Sequence, residues 1–218
     1  MAGQGGWTPG RDCAFCPRLA AFRDAARVSF PGWHNAPVPS FGSLDARLLI
    51  VGLAPGLRGA NRTGRPFTGD FAGDLLYATL LRFGLARGSY GASPEDGLEL
   101  LDCRITNAVR CVPPENKPTG PEVTACRPFL AGEILAMGKL KVVLALGALS
   151  HGAVLAALGE KKSAHAFAHG ARHVLGRGLI LADSYHCSRY NTNTGRLTST
   201  MFENAVGEAV KLLAQINQ

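Results

Sequence analysis

Residues 46–56 read A-R-L-L-I-V-G-L-A-P-G, and the rest of the fold follows from them. From Arg47 to Val51 the run is almost continuously apolar, and it stops at Gly52. An apolar run without alternation is the signature of a strand buried on both faces. Outward from it the same text recurs at Asp102 to Val109, Lys141 to Leu146 and Leu179 to Ser184. Helical spacing fills the intervals. Gly73 to Phe83 puts Leu75, Leu76, Thr79 and Leu80 on one face. Thr119 to Met137 opens with a capping box, Thr119 followed three residues on by Glu122, with Pro121 in the first turn. A short helix follows the third strand to Leu158, and a helix from Thr198 to Ile216 carries Met201, Phe202, Ala205, Ala209, Leu213 and Ile216 as a core stripe. Another helix, Cys13 to Ala26, precedes the first strand. Strands alternating with helices imply an α/β fold in three layers, α/β/α, with a central four-stranded parallel sheet.

The composition agrees. The chain has 218 residues, 46% hydrophobic and 18% charged, which excludes wholesale disorder and suits one domain. We read residues 1–12, rich in glycine and polar residues, as a flexible tail and 13–218 as the domain. No apolar run of about 18 residues is present, so no membrane helix is expected. Met1 to Gly10 lacks a basic stretch followed by an apolar one, so export by a signal peptide is not expected and the location reads as cytoplasmic. The formal charge of +7 fits a polyanionic partner and equally a plain basic enzyme.

In parallel sheets ligands bind beyond the carboxyl ends of the strands. Three polar loops fall there: Gly52 to Asp70, Asn107 to Lys117, and Tyr185 to Arg196. The first holds five glycines, one acid (Asp70) and three arginines, Arg58, Arg62 and Arg65. Glycines let a ligand approach the backbone, and the arginines suit phosphate. No G-K-[ST] follows, so it is not a Walker loop; a tight structural turn is the plainer reading. The last loop begins His186-Cys187-Ser188. His186 can donate a hydrogen bond into a pocket, or merely cap its own loop. Adjacent strand residues face opposite ways, so Cys187 is not its catalytic partner.

Of six cysteines, Cys103 lies in an apolar strand and reads as core. Cys13 and Cys16 form C-x-x-C; Cys111 and Cys126 form a wider pair. Spacing leaves zinc and an iron–sulfur cluster both open and favours zinc.

Four motifs carry a resemblance. They are G-L-A-P-G with G-A-N-R-T-G-R-P-F-T-G-D, then I-T-N-A-V-R-C-V-P-P-E-N-K-P, then K-S-A-H-A-F-A-H-G at 162–170, then S-Y-H-C-S-R-Y-N-T-N-T-G-R-L-T. In this order, over residues 13 to about 198, the chain resembles the uracil-DNA glycosylase superfamily, and within it the iron–sulfur family 5, or type B. The resemblance implies a four-stranded parallel sheet and a [4Fe–4S] cluster on Cys13, Cys16, Cys111 and Cys126, reversing the preference for zinc. It implies a base-excision DNA-repair hydrolase, monomeric and at the nucleoid of a prokaryote. Its substrates would be uracil and other deaminated or damaged bases (ethenocytosine, 5-hydroxymethyluracil, hypoxanthine) in double- or single-stranded DNA. His186 would face the leaving base and Asp70 the sugar. Gly52, Ala54, Phe67 and Asn107 would hold the base, Phe67 by stacking and Asn107 by its amide. Arg58, Arg62, Arg65, Arg189, Tyr190 and Asn191 would contact DNA, the last three as a wedge. Relatives place an acid or amide just after the first glycine of G-x-x-P to handle water. Here Leu53 and Ala54 are apolar, so the task shifts to Asp70. No catalytic lysine is evident, so no lyase step is expected. A non-catalytic metal-containing nucleic-acid-binding protein is the alternative. A phosphate-ester hydrolase is the other, although no carboxylate cluster for a divalent metal is visible.

Overall fold

A computed structural model describes residues 7–215; the first half of the expected tail and Ile216 of the last helix lie outside them. In chain order the elements are α1 (Pro17–Ser29), β1 (Leu48–Gly52), α2 (Ala60–Thr63), α3 (Phe71–Arg82), β2 (Ala86–Arg87), β3 (Glu99–Leu100), β4 (Cys103–Asn107), α4 (Gly120–Ala136), β5 (Val142–Leu146), α5 (Ala148–Leu158), β6 (Arg172–Val174), β7 (Ile180–Ser184), α6 (Arg189–Asn193) and α7 (Ser199–Gln215). Among the described residues, no helix is long and apolar enough to cross a membrane.

The main sheet runs β4-β1-β5-β7-β6. The four expected strands are present and mutually parallel; a fifth, β6, adds antiparallel to β7 at the edge. Leu48 to Gly52 are buried without exception, as an unalternating run requires. Alternate residues serve opposite faces. Leu48, Ile50, Leu144 and Leu146 pack with Leu76 and Leu80 of α3 and Phe202 and Val206 of α7. Leu49, Val51, Val143 and Ala145 pack with Leu130 and Ile134 of α4 and Val154 and Leu155 of α5. Each such aliphatic side chain contributes about 1.5–3 kcal/mol by leaving water. The β2–β3 pair forms a separate two-stranded sheet.

The N-terminal region differs from expectation. Helix α1 starts at Pro17, not Cys13. Proline suits a helix's first turn and restricts the residue before it, and Cys16 is extended at φ −122°, ψ 91°. The C-x-x-C therefore lies in the turn before the helix. Residues 7–12 make specific contacts with the domain. Trp7 lies so close to Gly132 of α4 that a Cβ there would come within 2.5 Å of the Trp7 Cβ. Arg104 stands over the Trp7 ring at 5.7 Å, and Arg27 reaches Arg11 O at 3.1 Å and Asp12 at 2.8 Å.

Two buried carboxylates fasten α4. Glu122 accepts from the Thr119 N–H at 2.7 Å, the expected capping box, and takes Arg18 of α1 on both oxygens at 2.7 and 2.8 Å. The Arg18 guanidinium holds its pKa below the usual carboxylate range. Glu133, fully buried, takes Arg104 on one oxygen (2.6 Å) and Arg110 on the other (2.5 Å). Arg104 also donates to Gly42 O, and Arg110 to Ser40 Oγ at 2.6 Å. This network ties β4 and the loop after it to α4.

Candidate active site

The carboxyl ends of β1 and β4 set the floor of a cleft, with Gly52 paired opposite Asn107. A Cβ on Gly52 would fall 2.4 Å from Asn107 Oδ1 and 2.6 Å from Phe67 Cζ, so only glycine lets both side chains meet over the strand end. Ala54, Pro55, Gly56, Ala60, Phe67, Asp70, Ala72, Asn107 and His186 line this cleft, which encloses about 270 Å³ open to solvent. The three polar loops do converge here.

Phe67 is aimed by backbone strain. Its φ is +52°, a left-handed value that phenylalanine rarely adopts. The turn is held by Tyr77, whose OH donates to Pro66 O at 2.6 Å, and by Gly73. A Cβ on Gly73 would sit 1.8 Å from Phe67 O. The Phe67 ring stacks on His186, centroids 5.9 Å apart and 27° between planes.

Asp70 is the N-cap of α3, which begins two residues earlier than its apolar pattern indicates. Its Oδ1 accepts from the Gly73 N–H at 3.1 Å. Its Oδ2 lies against the Gly56–Gly59 turn, where a Cβ on Gly59 would approach to 2.4 Å. Burial raises its pKa above the ordinary carboxylate value, opposed by the Gly73 and Ala72 N–H groups and reinforced by Asp74. His186 follows β7. Burial alone pushes its imidazole down to about 4, so the ring is neutral at pH 7. No hydrogen bond within the described residues uses its ring nitrogens, or the side-chain amide of the buried Asn107. Their donors and acceptors are unspent. Cys187, facing the other way, is buried, and its thiol lies 3.5 Å from Ala72 O.

The DNA-contacting candidates divide. Arg58 and Arg62 are exposed on the first loop, and Arg189 and Tyr190 on α6. Arg189 stands 5.4 Å over the ring of Phe71, next to Asp70. Asn191 is turned inward in part: its Nδ2 donates to His186 O at 2.8 Å. Arg65 is not at the surface. Its guanidinium is only 5% exposed and binds both oxygens of Asp96 at 2.8 and 2.7 Å. Phe41, Tyr77 and Tyr90 surround it at 5.2–5.8 Å. Asp96 and Tyr90, which the sequence alone does not single out, are thus what brace this loop. The Asp96-Gly97 pair between two short apolar stretches was the signal for a turn there.

Cys13, Cys16, Cys111 and Cys126 line a second pocket of about 310 Å³ with Phe15, Leu19, Val109 and Phe129. Among the described residues no three of these thiols come within 4.8 Å of one another. A single zinc on four thiolates would draw them to roughly 3.8 Å, from Zn–S bonds of about 2.3 Å. A larger cluster suits the wider setting. Burial and then the neighbouring Cys126 push Cys16 up to about 11 and Cys111 up to about 12. Thiolates here need compensating positive charge. Arg23 points at Cys111 Sγ (3.9 Å), and the Arg110 N–H donates to Cys126 Sγ (3.4 Å).

Comparison with known proteins gives a consistent answer. The family model described as the Uracil DNA glycosylase superfamily matches residues 39–209. A type-5 uracil-DNA glycosylase of Thermus thermophilus is 46% identical over 205 residues, covering 92% of this chain and 93% of that protein. Type-5 enzymes of Mycobacterium bovis and Pyrobaculum aerophilum are each 43% identical, covering 92% and 86% of this chain and 78% and 83% of theirs. The match runs from the loop before β1 into α7, and with it the chain belongs to the uracil-DNA glycosylase superfamily, in its type-5 branch.

Proposed function

We propose that the chain hydrolyses the N-glycosidic bond of uracil in DNA, leaving an abasic site, and that ethenocytosine, 5-hydroxymethyluracil and hypoxanthine are further substrates. The observation that carries this is one cleft holding a half-buried carboxylate, a neutral imidazole and an unspent amide beside an aromatic ring. A duplex base reaches such a cleft only after rotating out of the stack. Phe67 then stacks on it, and the Asn107 amide, both donor and acceptor, meets its edge. The bond from C1′ to the base nitrogen breaks, its electron pair leaving with the base. A neutral His186 stabilises that anion by donating an N–H hydrogen bond, not by giving up a proton. Asp70 faces the cationic sugar, and its raised pKa makes it a better acceptor for a proton of the incoming water. Water gives its hydroxyl to C1′, and a proton ends on the released base. Ala54, Ala60 and Ala72 are small, which leaves room for bulkier bases. Exposed Arg58, Arg62 and Arg189 suit the phosphates of either strand state. The same reading takes the chain as a monomer acting on chromosomal DNA in the cytoplasm.

The cysteine pocket fits a [4Fe–4S] cluster: four thiols, apolar walls, and the Arg23 guanidinium and the Arg110 backbone N–H within reach. Bound there, the cluster would act structurally, pinning α1 and the loop after β4. Purified protein should be brown, with iron and acid-labile sulfide in near-equal amounts; colourless protein with stoichiometric zinc, prepared without air, refutes the cluster. The activity is tested on one uracil-containing oligonucleotide followed by alkali. Cleavage at uracil that survives chelation of divalent metal is expected. Absence of cleavage at stoichiometric enzyme overturns the reading and favours a binding protein.

A further inference from the structure

We propose that His151, His173 and Asp183 form a binding site for one first-row divalent metal ion of the zinc type, which staples α5 and β6 to β7. The three ligand atoms lie within 4.8 Å of one another. They come from three elements: His151 from α5, His173 from edge strand β6, Asp183 from β7. Their side chains are 4%, 12% and 0% exposed. Imidazole and carboxylate in tetrahedral number, with one position left over, are what zinc and its neighbours take.

A second observation orients the ligand. His151 Nε2 lies 2.9 Å from His165 O, which can only accept, so Nε2 carries the hydrogen. Nδ1 then presents its lone pair to Asp183 Oδ1 at 2.8 Å. Metal-ligating histidines characteristically donate their other N–H to a backbone carbonyl in this way. A lone pair facing a carboxylate needs a cation between them, either a proton or a metal ion. His173 Nε2 approaches the other oxygen at 3.2 Å. A proton on His151 serves one ring, whereas a metal ion engages both rings and the carboxylate together.

The setting gives the ion work to do. Strand β6 is only R-H-V, with Arg172 exposed and Val174 74% exposed, so its own side chains hold it weakly. The K-S-A-H-A-F-A-H-G segment, which the cleft does not use, closes over the site. Phe167 packs edge-on to His151 at 5.6 Å, and His165 to His173 at 5.4 Å.

The test uses the protein as purified, treated with a chelator mild enough to leave its iron, then titrated with Zn2+. One equivalent should bind beyond the iron, and a hundredfold excess over Kd should raise the Tm by roughly 5–10 °C. His173→Gln should abolish both effects while iron content and basal activity stay as in the parent. Absence of a saturable equivalent, or identical uptake by the variant, overturns the site and leaves a proton on His151 as the cation. Should the variant not fold, zinc-edge X-ray absorption on the parent decides. Nitrogen and oxygen ligation supports the site; sulfur ligation places the zinc among the cysteines and refutes it. These outcomes are independent of the glycosylase reading.

Discussion

Buried charge is handled in opposite ways in two parts of this molecule. Around Arg65 and Glu133 each charged group is matched: Arg65 has both Asp96 oxygens and three aromatic faces, and Glu133 has two arginines. In the cleft the groups are left short. Asp70 has backbone N–H donors but, among the described residues, no cationic partner, and burial displaces the pKa of Asp70 upward and of His186 downward. The matched networks hold loops in place. The unmatched groups keep their hydrogen-bonding capacity for something that arrives later, which is the arrangement transition-state stabilisation requires.

The contrast can be broken most forcefully at Glu133. Glu133→Ala leaves Arg104 and Arg110 buried and unpaired, and should cost about 3–5 kcal/mol in chemical denaturation. A loss below about 1 kcal/mol would mean that the network is not scaffold. Next in size, Asp70→Asn and His186→Ala should each slow single-turnover excision about a hundredfold, on the order of 3 kcal/mol. DNA affinity should hardly move, and the Tm should stay level or rise, since an unmatched buried group costs stability. Wild-type rates in Asp70→Asn would remove the carboxylate from the mechanism.

A pH series sharpens the same comparison. Asp70 must be ionised, so the rate should fall as pH drops through its raised pKa, and Asp70→Asn should lose that limb. His186, displaced from 6.5 to about 4, stays neutral throughout, so no inflection is expected near 6.5. Stability behaves differently. Between pH 6.5 and about 4 the unfolded chain binds a proton at this position and the folded chain does not, so stability falls as pH drops across that window. Thermal melts of His186→Asn should lack this component. A rate inflection at 6.5 would show a solvated, ordinary histidine.

The smallest effect is expected at the rim. Tyr190 is 73% exposed, and Arg189 rests on Phe71. Truncating both to alanine should reduce activity roughly tenfold on uracil paired with adenine, less on a mismatch and least on a single strand, because a wedge matters only where there is a stack to replace. Equal losses on all three, with a salt dependence flattened by about one counterion, would instead make Arg189 a phosphate contact.

How much could be read from residues alone follows the same division. The Leu48–Val51 run announced a central strand because burial on both faces leaves no polar position. The four cysteines are legible as two pairs, and the three polar loops because glycine and histidine have few other uses at strand ends. Arg65 was misread. An arginine in a glycine-rich loop looks the same whether it faces phosphate or an aspartate, and Asp96 lies far along the chain. Strand β6 went unseen because two of its three residues are exposed, which leaves no apolar period to detect. The start of α3 lies two residues before the apolar pattern, since a capping aspartate and a loop aspartate are the same letter. Residues 7–12 read as tail because Trp7 finds its partners on α4 and β4.

The position of β1 has a consequence for synthesis. It sits inside the sheet between β4 and β5, yet it is the first strand to leave the ribosome. At about 5–20 residues per second, β4 follows only after several seconds and β5 later still. Throughout that interval L-L-I-V has neither hydrogen-bonding neighbour, and both its faces meet water. Such a segment is sticky and uncharged, the kind that pairs with another nascent copy if given time. Arg47 and the Pro55-Gly56 turn flank it as gatekeepers, one charged and one unable to extend a ladder. The wait for β4 is thus the interval in which this segment is most open to such pairing.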